Sequence, residues 1–247
     1  MEIFDGIRQR TDALLTGLPK RAFPYDPKKA AAEGGVNDLI LGREAAFELG
    51  AANYDAVNYT VITNSEDAVP RDEIVLYGAD IGELRGDCSF ARITYMRTDD
   101  IARHGDEAAH AIIRNAELKK FGAAPRGYMM RASALSNREQ VRVSKKAVAG
   151  GLSFEAVGDL LISKYKENRH VAAVRIAFIT LPDAPYRELD ALATQSEQLT
   201  AALNHVIADL DVDCMSCRWK TVCDEVDGMK EMHKRIAGNT GRSIKEE

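Results

Sequence analysis

Three cysteines in the C-terminal part of the chain are the residues best suited to chemistry. Cys214, Cys217 and Cys223 follow a C-x2-C-x5-C spacing. A C-x2-C turn lets two thiolates converge on one metal, and five further residues are enough to return a third. Clustered cysteines in a reducing compartment indicate metal binding more than disulfides. The segment therefore predicts an iron–sulfur or zinc site, with reduced buried cysteines or a disulfide as the alternatives.

A site of four ligands needs one residue more than this segment provides. Cys88 is the one remaining cysteine of the sequence, and since no thiol is left over we take it as the fourth ligand. His205 and His233 flank the cysteine segment and would suit zinc better than an iron–sulfur cluster. An iron with an open coordination position is a third alternative. We accordingly predict that Cys88 and the three clustered cysteines bind a [4Fe-4S] cluster, with Zn²⁺ as the alternative metal.

The middle of the chain is locally basic. It contains Arg114, Arg126, Arg131, Arg138 and Arg142. Guanidinium groups of this kind can receive an anionic ligand that carries phosphate. A solvated basic surface explains the same residues without any ligand.

Composition limits the classes of protein to which the chain can belong. It has 247 residues, 45% hydrophobic and 29% charged, which is typical of a globular protein. The net charge of -5 argues against nucleic-acid binding, because no basic excess exists to neutralise phosphates. The first residues lack the basic and apolar regions of a signal peptide, and no apolar run approaches the roughly 18 residues of a membrane span. We therefore expect a cytoplasmic protein.

Hydrophobic periodicity predicts the elements that must position these residues. Period-two and continuous apolar runs predict strands at 38–41, 45–49, 56–63, 73–77, 88–96, 140–143 and 171–180. Helical periodicity predicts helices at 3–18, 100–121, 186–210 and 225–236, whereas 122–137 has the composition of a loop. Strands and helices do not alternate regularly, which favours an α+β fold with a mixed or antiparallel sheet over a doubly wound parallel sheet.

Two serines mark the starts of further helices. Ser144 can cap a short helix that stops at Gly150 and Gly151, and Ser153 can cap a longer one. The longer helix would bury the stripe Phe154, Val157, Leu160, Leu161 and Tyr165.

Proline and glycine positions divide the chain into three parts. Residues 1–36 form an N-terminal helix and a Pro/Gly-rich linker, 37–181 an α+β domain, and 182–247 a helical C-terminal segment that carries the cysteine motif. The second boundary lies at 181–185, where Pro182 and Pro185 follow the last strand.

Residues 73–84 and 142–161 of the middle part form two stretches that resemble the acetyl-CoA synthase family, the beta subunit of the CO dehydrogenase/acetyl-CoA synthase complex. The first is Glu73-Ile-Val-Leu-Tyr-Gly-Ala-Asp-Ile-Gly-Glu-Leu84, similar to the family's strand followed by Gly-x-Asp-Ile, an acidic residue and Leu. The second contains Arg142-Val-Ser-Lys-Lys-Ala147 and Gly158-Asp-Leu-Leu161, followed by the strand at 171–180. The resemblance covers about 70–181, the domain that precedes the metal-binding domain in that family.

The chain departs from the family at the active site. The family holds a nickel site bridged to a [4Fe-4S] cluster and has a Cys-Gly-Cys motif for the second nickel, which this sequence lacks. Cys214 and Cys217 could correspond to the family's first C-x2-C pair and Cys223 to its third cluster ligand. The resemblance thus implies a cubane cluster and kinship with the family, and it does not imply the dinickel site.

Three functions follow from these observations. The first is an iron–sulfur protein with an accessory or electron-transfer role in anaerobic one-carbon or corrinoid metabolism, working with a protein partner in a redox or one-carbon complex. The second is an acyl- or methyl-transfer subunit that binds CoA or a methyl-corrinoid protein through the arginines. The third is a structural zinc-binding interaction module.

Overall fold

A computed structural model of the chain describes residues 4–35, 39–99, 106–132, 137–208, 212–213, 220–221 and 244–245. Cys214, Cys217, Cys223 and His233 lie outside these residues, as does the helix predicted at 225–236.

The fold is built on a five-stranded mixed sheet. Its strands, in spatial order, are β1 (Arg21–Pro24), β4 (Glu73–Tyr77), β8 (Val171–Ile179), β5 (Phe90–Thr98) and β3 (Ala56–Thr63). Neighbouring pairs alternate between antiparallel and parallel, beginning with the antiparallel pair of β1 and β4. This mixed sheet confirms the predicted α+β class.

A smaller antiparallel sheet and five helices complete the described architecture. The sheet has the order β2 (Ala45–Leu49), β7 (Glu139–Ser144), β6 (Tyr128–Ala132). The helices are α1 (Asp5–Leu15), α2 (Asp106–Leu118), α3 (Lys145–Ala149), α4 (Phe154–Tyr165) and α5 (Tyr186–Ala208). Two-residue strands β9 (Val212–Asp213) and β10 (Ile244–Lys245) pair in parallel.

Strict alternation in the central strands separates two hydrophobic cores. In β5, Ile93 and Tyr95 face one core while Phe90 and Met96 face the other. We call the side that carries α1 and α5 the outer face. The side that carries α4 and the three-stranded sheet is the inner face.

Both terminal helices pack on the sheet rather than apart from it. Leu189, Leu192 and Leu199 of α5 lie in the outer core together with Phe4 and Ile7 at the N-terminal end. The loop before α5 coincides with the boundary predicted at 181–185, although the helix beyond it shares the core of the preceding part. The three-part division itself stays a prediction.

The predicted caps of two helices are present. The Ser144 hydroxyl accepts a hydrogen bond from the Ala147 amide at 3.1 Å, and the Ser153 hydroxyl accepts one from Ala156 at 3.2 Å. Gly151 has a φ of 80°, which suits the end of a short helix. All five residues of the predicted apolar stripe of α4 are buried.

Two local predictions were wrong. Residues 39–41 form no strand, and a 3-10 turn at Gly42–Glu44 follows them. The loop predicted at 122–137 contains strand β6, which pairs with β7 and buries Tyr128. Pairing with a neighbouring strand therefore outweighed the Pro125 and Gly127 signals, which mark the turn before β6 rather than a long loop.

No helix of the described residues is both long and apolar enough to cross a membrane.

Candidate functional site

Cys88, the predicted fourth ligand, lies between β4 and β5 beside the end of β2. Its carbonyl accepts from the Gly50 amide at 2.8 Å, and its amide donates to the Glu48 carbonyl at 3.3 Å. The half-buried side chain packs against the inner core. Burial, helped by the Asp87 carboxylate, raises the pKa of the thiol to about 11. The thiol is thus protonated at neutral pH, and a metal would have to displace that proton.

The other predicted ligands cannot be placed around a metal. Cys214, Cys217, Cys223 and His233 fall outside the described residues, and of His205 only the helical backbone is described. Within the described residues, no group of three His, Cys, Asp or Glu side chains could hold a metal ion. The ligand set therefore stays a prediction.

Helix α5 begins at the end of the sheet where Cys88 lies and runs towards the opposite end. The Tyr186 hydroxyl donates to the Ile179 carbonyl at 3.3 Å, and Ile179 pairs with the second residue of β5. Ten residues later the Ser196 hydroxyl donates to the Thr60 carbonyl at 3.1 Å, and Thr60 pairs with the fifth residue of β5. The helix therefore leads the chain away from Cys88.

This direction sets a length condition on the four-cysteine site. The 23 residues of α5 span roughly 34 Å at about 1.5 Å per residue. Cys214 follows the last residue of α5 by six positions, a span of at most about 21 Å. Even fully extended, that linker is shorter than α5, so a cluster shared by Cys88 and Cys214 would have to bridge the difference through its own width and its cysteine side chains. His205, which lies on α5 itself, requires no such bridge.

Four of the five arginines singled out from the sequence have polar partners: Arg114 with Glu117, Arg126 with the Glu33 carbonyl, Arg138 with the Tyr54 carbonyl, and Arg142 with Glu48. The Arg131 side chain is exposed and has neither a hydrogen-bond nor an ion-pair partner among the described residues. The other four arginines therefore bind a carboxylate or a backbone carbonyl of the described fold.

A buried ion pair on the inner face was not among the predicted site residues. Arg92 of β5 and Glu139 of β7 are both fully buried. The Arg92 Nε donates to the two carboxylate oxygens of Glu139 at 2.9 and 3.1 Å, and Nη2 donates to the same carboxylate. Its Nη1 donates to the Tyr165 hydroxyl at 3.3 Å. Burial by itself would lower the pKa of Arg92, but the Glu139 charge offsets it and raises that pKa.

The strand pattern contained a signal for this pair. Arg92 stands at an inward position between Phe90 and Met96, and Glu139 precedes Val141 at the same spacing. Opposite charges on the buried faces of two strands indicate that the strands pack together. The sequence does not state which strands face each other, so the pairing was visible only in the fold.

A cavity of about 140 Å³ lies beside the ion pair. Its wall consists of Arg92, Lys120, Phe121, Met130 and Arg131. Three of these five residues are cations, and none of the described residues that line the cavity has a carboxylate. The Lys120 Nζ lies 5.2 Å from the centroid of the Phe121 ring. Burial, reinforced by the Arg92 charge, lowers the pKa of Lys120. The arrangement suits binding of an anion.

The two segments that resemble acetyl-CoA synthase pack directly on each other. An Asp80 carboxylate oxygen accepts from the Phe154 amide at 2.8 Å and so caps the first turn of α4. A Cβ on Gly158 of α4 would lie 2.4 Å from Cγ1 of Ile74 in β4, so only glycine permits this approach. These residues therefore have structural roles that account for their occurrence together.

The sequence matches no protein-family model, and no curated protein matches it. The kinship with acetyl-CoA synthase consequently stays a prediction that rests on the two segments.

Proposed function

We propose that the chain is a cytoplasmic iron–sulfur protein with an accessory or electron-transfer role in anaerobic one-carbon or corrinoid metabolism. The C-x2-C-x5-C spacing of Cys214, Cys217 and Cys223 carries the proposal, because it allows three thiolates to converge on one cluster. The resemblance over about 70–181 supplies the metabolic setting. A protein partner in a redox or one-carbon complex would exchange the electrons.

The first experiment identifies the metal. Protein purified without oxygen should be brown, absorb near about 400 nm, and contain about four iron and four sulfide per chain. Electron paramagnetic resonance after reduction should give the signal of a [4Fe-4S]⁺ cluster. A colourless protein with one equivalent of zinc would replace the proposal with a structural zinc module. If the protein takes up neither iron nor zinc on reconstitution, the remaining alternative is an interaction module without metal.

The second experiment identifies the ligands. Cys217→Ala should lose most of the iron. Cys88→Ala should keep it, because α5 leads away from Cys88 and six extended residues are shorter than the helix. If Cys88→Ala loses iron as Cys217→Ala does, the four-cysteine set is correct. His205→Ala, compared with both, tests the ligand that α5 places closest along the chain to the cysteine segment.

A second candidate function is acyl or methyl transfer with CoA or a methyl-corrinoid partner. The unpaired, exposed Arg131 favours it, because an unengaged guanidinium is free to bind phosphate. Calorimetry at low salt should then show CoA binding that weakens as salt screens the charges. Arg131→Gln should weaken it further, whereas Arg10→Gln, a change in an exposed arginine of α1, should not.

A further inference from the structure

The cavity beside Lys120 combines positive charge with apolar walls. Lys120 and Arg131 contribute an ammonium and a guanidinium, and Phe121 and Met130 contribute apolar surface. Arg92 also reaches the wall, but its charge is balanced by Glu139 behind it. The two remaining cations have no carboxylate within ion-pairing distance among the described residues.

The ammonium of Lys120 has no hydrogen-bond acceptor among the described residues. Its Nζ lies 5.2 Å from the centroid of the Phe121 ring. The side chain is half-buried, and a bound anion would supply both an acceptor and an opposite charge. Glu117 lies near enough to influence the pKa of Lys120 but forms no ion pair with it. An anion bound in the cavity would pair with both cations.

The size of the cavity restricts that anion. Its volume of about 140 Å³ is well below the 300 Å³ or so at which pockets begin to hold drug-sized ligands. A nucleotide or a whole CoA does not fit inside. A planar guanidinium pairs with a carboxylate through two parallel hydrogen bonds, and the apolar walls can cover a short hydrocarbon group.

We propose that this cavity binds a small aliphatic carboxylate. Its oxygens pair with Lys120 and Arg131, and its one or two carbons lie against Phe121 and Met130. Arg92, fixed by Glu139, holds the wall of the cavity in place. The site is independent of the cysteine segment.

Proton NMR of propionate with the full-length protein tests the proposal. Titration at constant ionic strength, maintained with chloride, should give saturable broadening or saturation transfer on the propionate methyl group. Lys120→Gln and Arg131→Gln should each weaken binding about tenfold or more, because each removes a charge-assisted hydrogen bond. The matched controls are Lys28→Gln and Arg138→Gln, which change an exposed lysine and an exposed arginine outside the cavity wall. Both should bind propionate as the unchanged protein does.

Competition identifies the class of ligand. Acetate should displace propionate, because it presents the same carboxylate to Lys120 and Arg131. Displacement by inorganic phosphate but not by acetate would overturn the carboxylate assignment. Absence of saturable binding to the unchanged protein would overturn the site. The site would also be overturned if the Lys120→Gln and Arg131→Gln variants, with normal circular dichroism, bound propionate as tightly as the unchanged protein.

Discussion

The two faces of the central sheet bury polar groups in opposite ways. On the outer face the fully buried polar residues carry neutral hydroxyls: Thr11 contacts the Tyr59 hydroxyl at 2.9 Å, and Ser196 donates to the Thr60 carbonyl. The ion pairs of Arg97 and Arg175 on that face are only partly buried. On the inner face Arg92 and Glu139 are completely buried. Among the described residues, the sheet thus separates a core whose fully buried polar groups are neutral from one that contains a fully buried ion pair.

This difference indicates that the inner face holds the groups that contribute to specificity and binding. Burying an ion pair contributes little net stability, since the desolvation of both charges offsets most of their attraction. The pair nevertheless joins β5 of the central sheet to β7 of the smaller one, and it borders the cationic cavity. The inner face therefore combines the junction of the two sheets with the candidate ligand site, whereas the outer face chiefly holds α1 and α5.

The largest effect should come from breaking the ion pair. Glu139→Gln keeps the volume but leaves the Arg92 guanidinium without a counter-charge in a buried position. We expect the free energy of unfolding to fall by about 3–5 kcal/mol, measured by urea denaturation. The double variant Arg92→Met/Glu139→Met should recover most of this loss because no charge is left behind. A Glu139→Gln protein as stable as the unchanged chain would show that water solvates the pair.

Substituting one glycine on each face by alanine compares the packing of the two faces. Gly158 lets α4 approach β4 on the inner face, and an added Cβ would lie 2.4 Å from Cγ1 of Ile74. Gly158→Ala should therefore destabilise the protein by about 1–3 kcal/mol through overpacking. Gly6 of α1 has no atom within 4 Å of an added Cβ. Gly6→Ala should leave stability unchanged or raise it by up to about 1 kcal/mol, in thermal or urea unfolding.

Much of the local structure could be predicted because it depends on neighbouring residues. The period-two pattern of β5 and the serine caps of α3 and α4 are properties of short windows. Strand β6 could not be predicted from such a window, since its pairing with β7 determines it. The prolines around β1 concealed a strand for the same reason: the register with β4 is a long-range property.

The candidate sites show the same contrast between local sequence patterns and long-range packing. A C-x2-C-x5-C spacing is local, so the sequence alone suffices to propose a cluster at Cys214, Cys217 and Cys223. Whether Cys88 can join them depends on the direction of α5, which only the three-dimensional path reveals. Lys120 and Arg131 likewise line one cavity although they belong to different elements, a 3-10 turn and β6, and neither residue is unusual in sequence.

A buried carboxyl of the inner side should make stability depend on pH. Asp159 of α4 is buried and accepts from the Asp26 amide at 2.9 Å, while its second oxygen has no hydrogen-bond partner among the described residues. Burial raises the pKa from 3.8 to about 6 against the lowering effect of that hydrogen bond, with Glu155 and Asp26 adding to the rise and Lys29 opposing it. The folded state therefore binds the proton more tightly than the unfolded state. The stabilisation is complete below about pH 4 and is lost as pH rises through about 6.

Replacing that carboxyl tests the sign of the effect. Asp159→Asn keeps an acceptor for the Asp26 amide and removes the charge. We expect the variant to be more stable than the unchanged protein by about 1–2 kcal/mol at pH 8, with little difference near about pH 3.5. Urea denaturation at the two pH values measures both numbers. A constant difference across pH would mean that Asp159 is ionised or neutral throughout, and the pKa assignment would fail.

The smallest expected effect concerns the neutral hydroxyl pair of the outer face. Thr11 donates to the Ile7 carbonyl at 2.7 Å, so its oxygen accepts the proton of the Tyr59 hydroxyl. Thr11→Val leaves the buried Tyr59 hydroxyl without its acceptor and should cost about 1 kcal/mol, whereas Tyr59→Phe removes the polar group that needed one. The double variant should then be less destabilised than the sum of the two, by about 0.5–1 kcal/mol in a double-mutant cycle. This coupling should be well below that of Arg92 with Glu139, because no charge is left buried when a hydroxyl loses its partner. Equal coupling energies for the two pairs would mean that the faces of the sheet do not differ in the way their buried groups suggest.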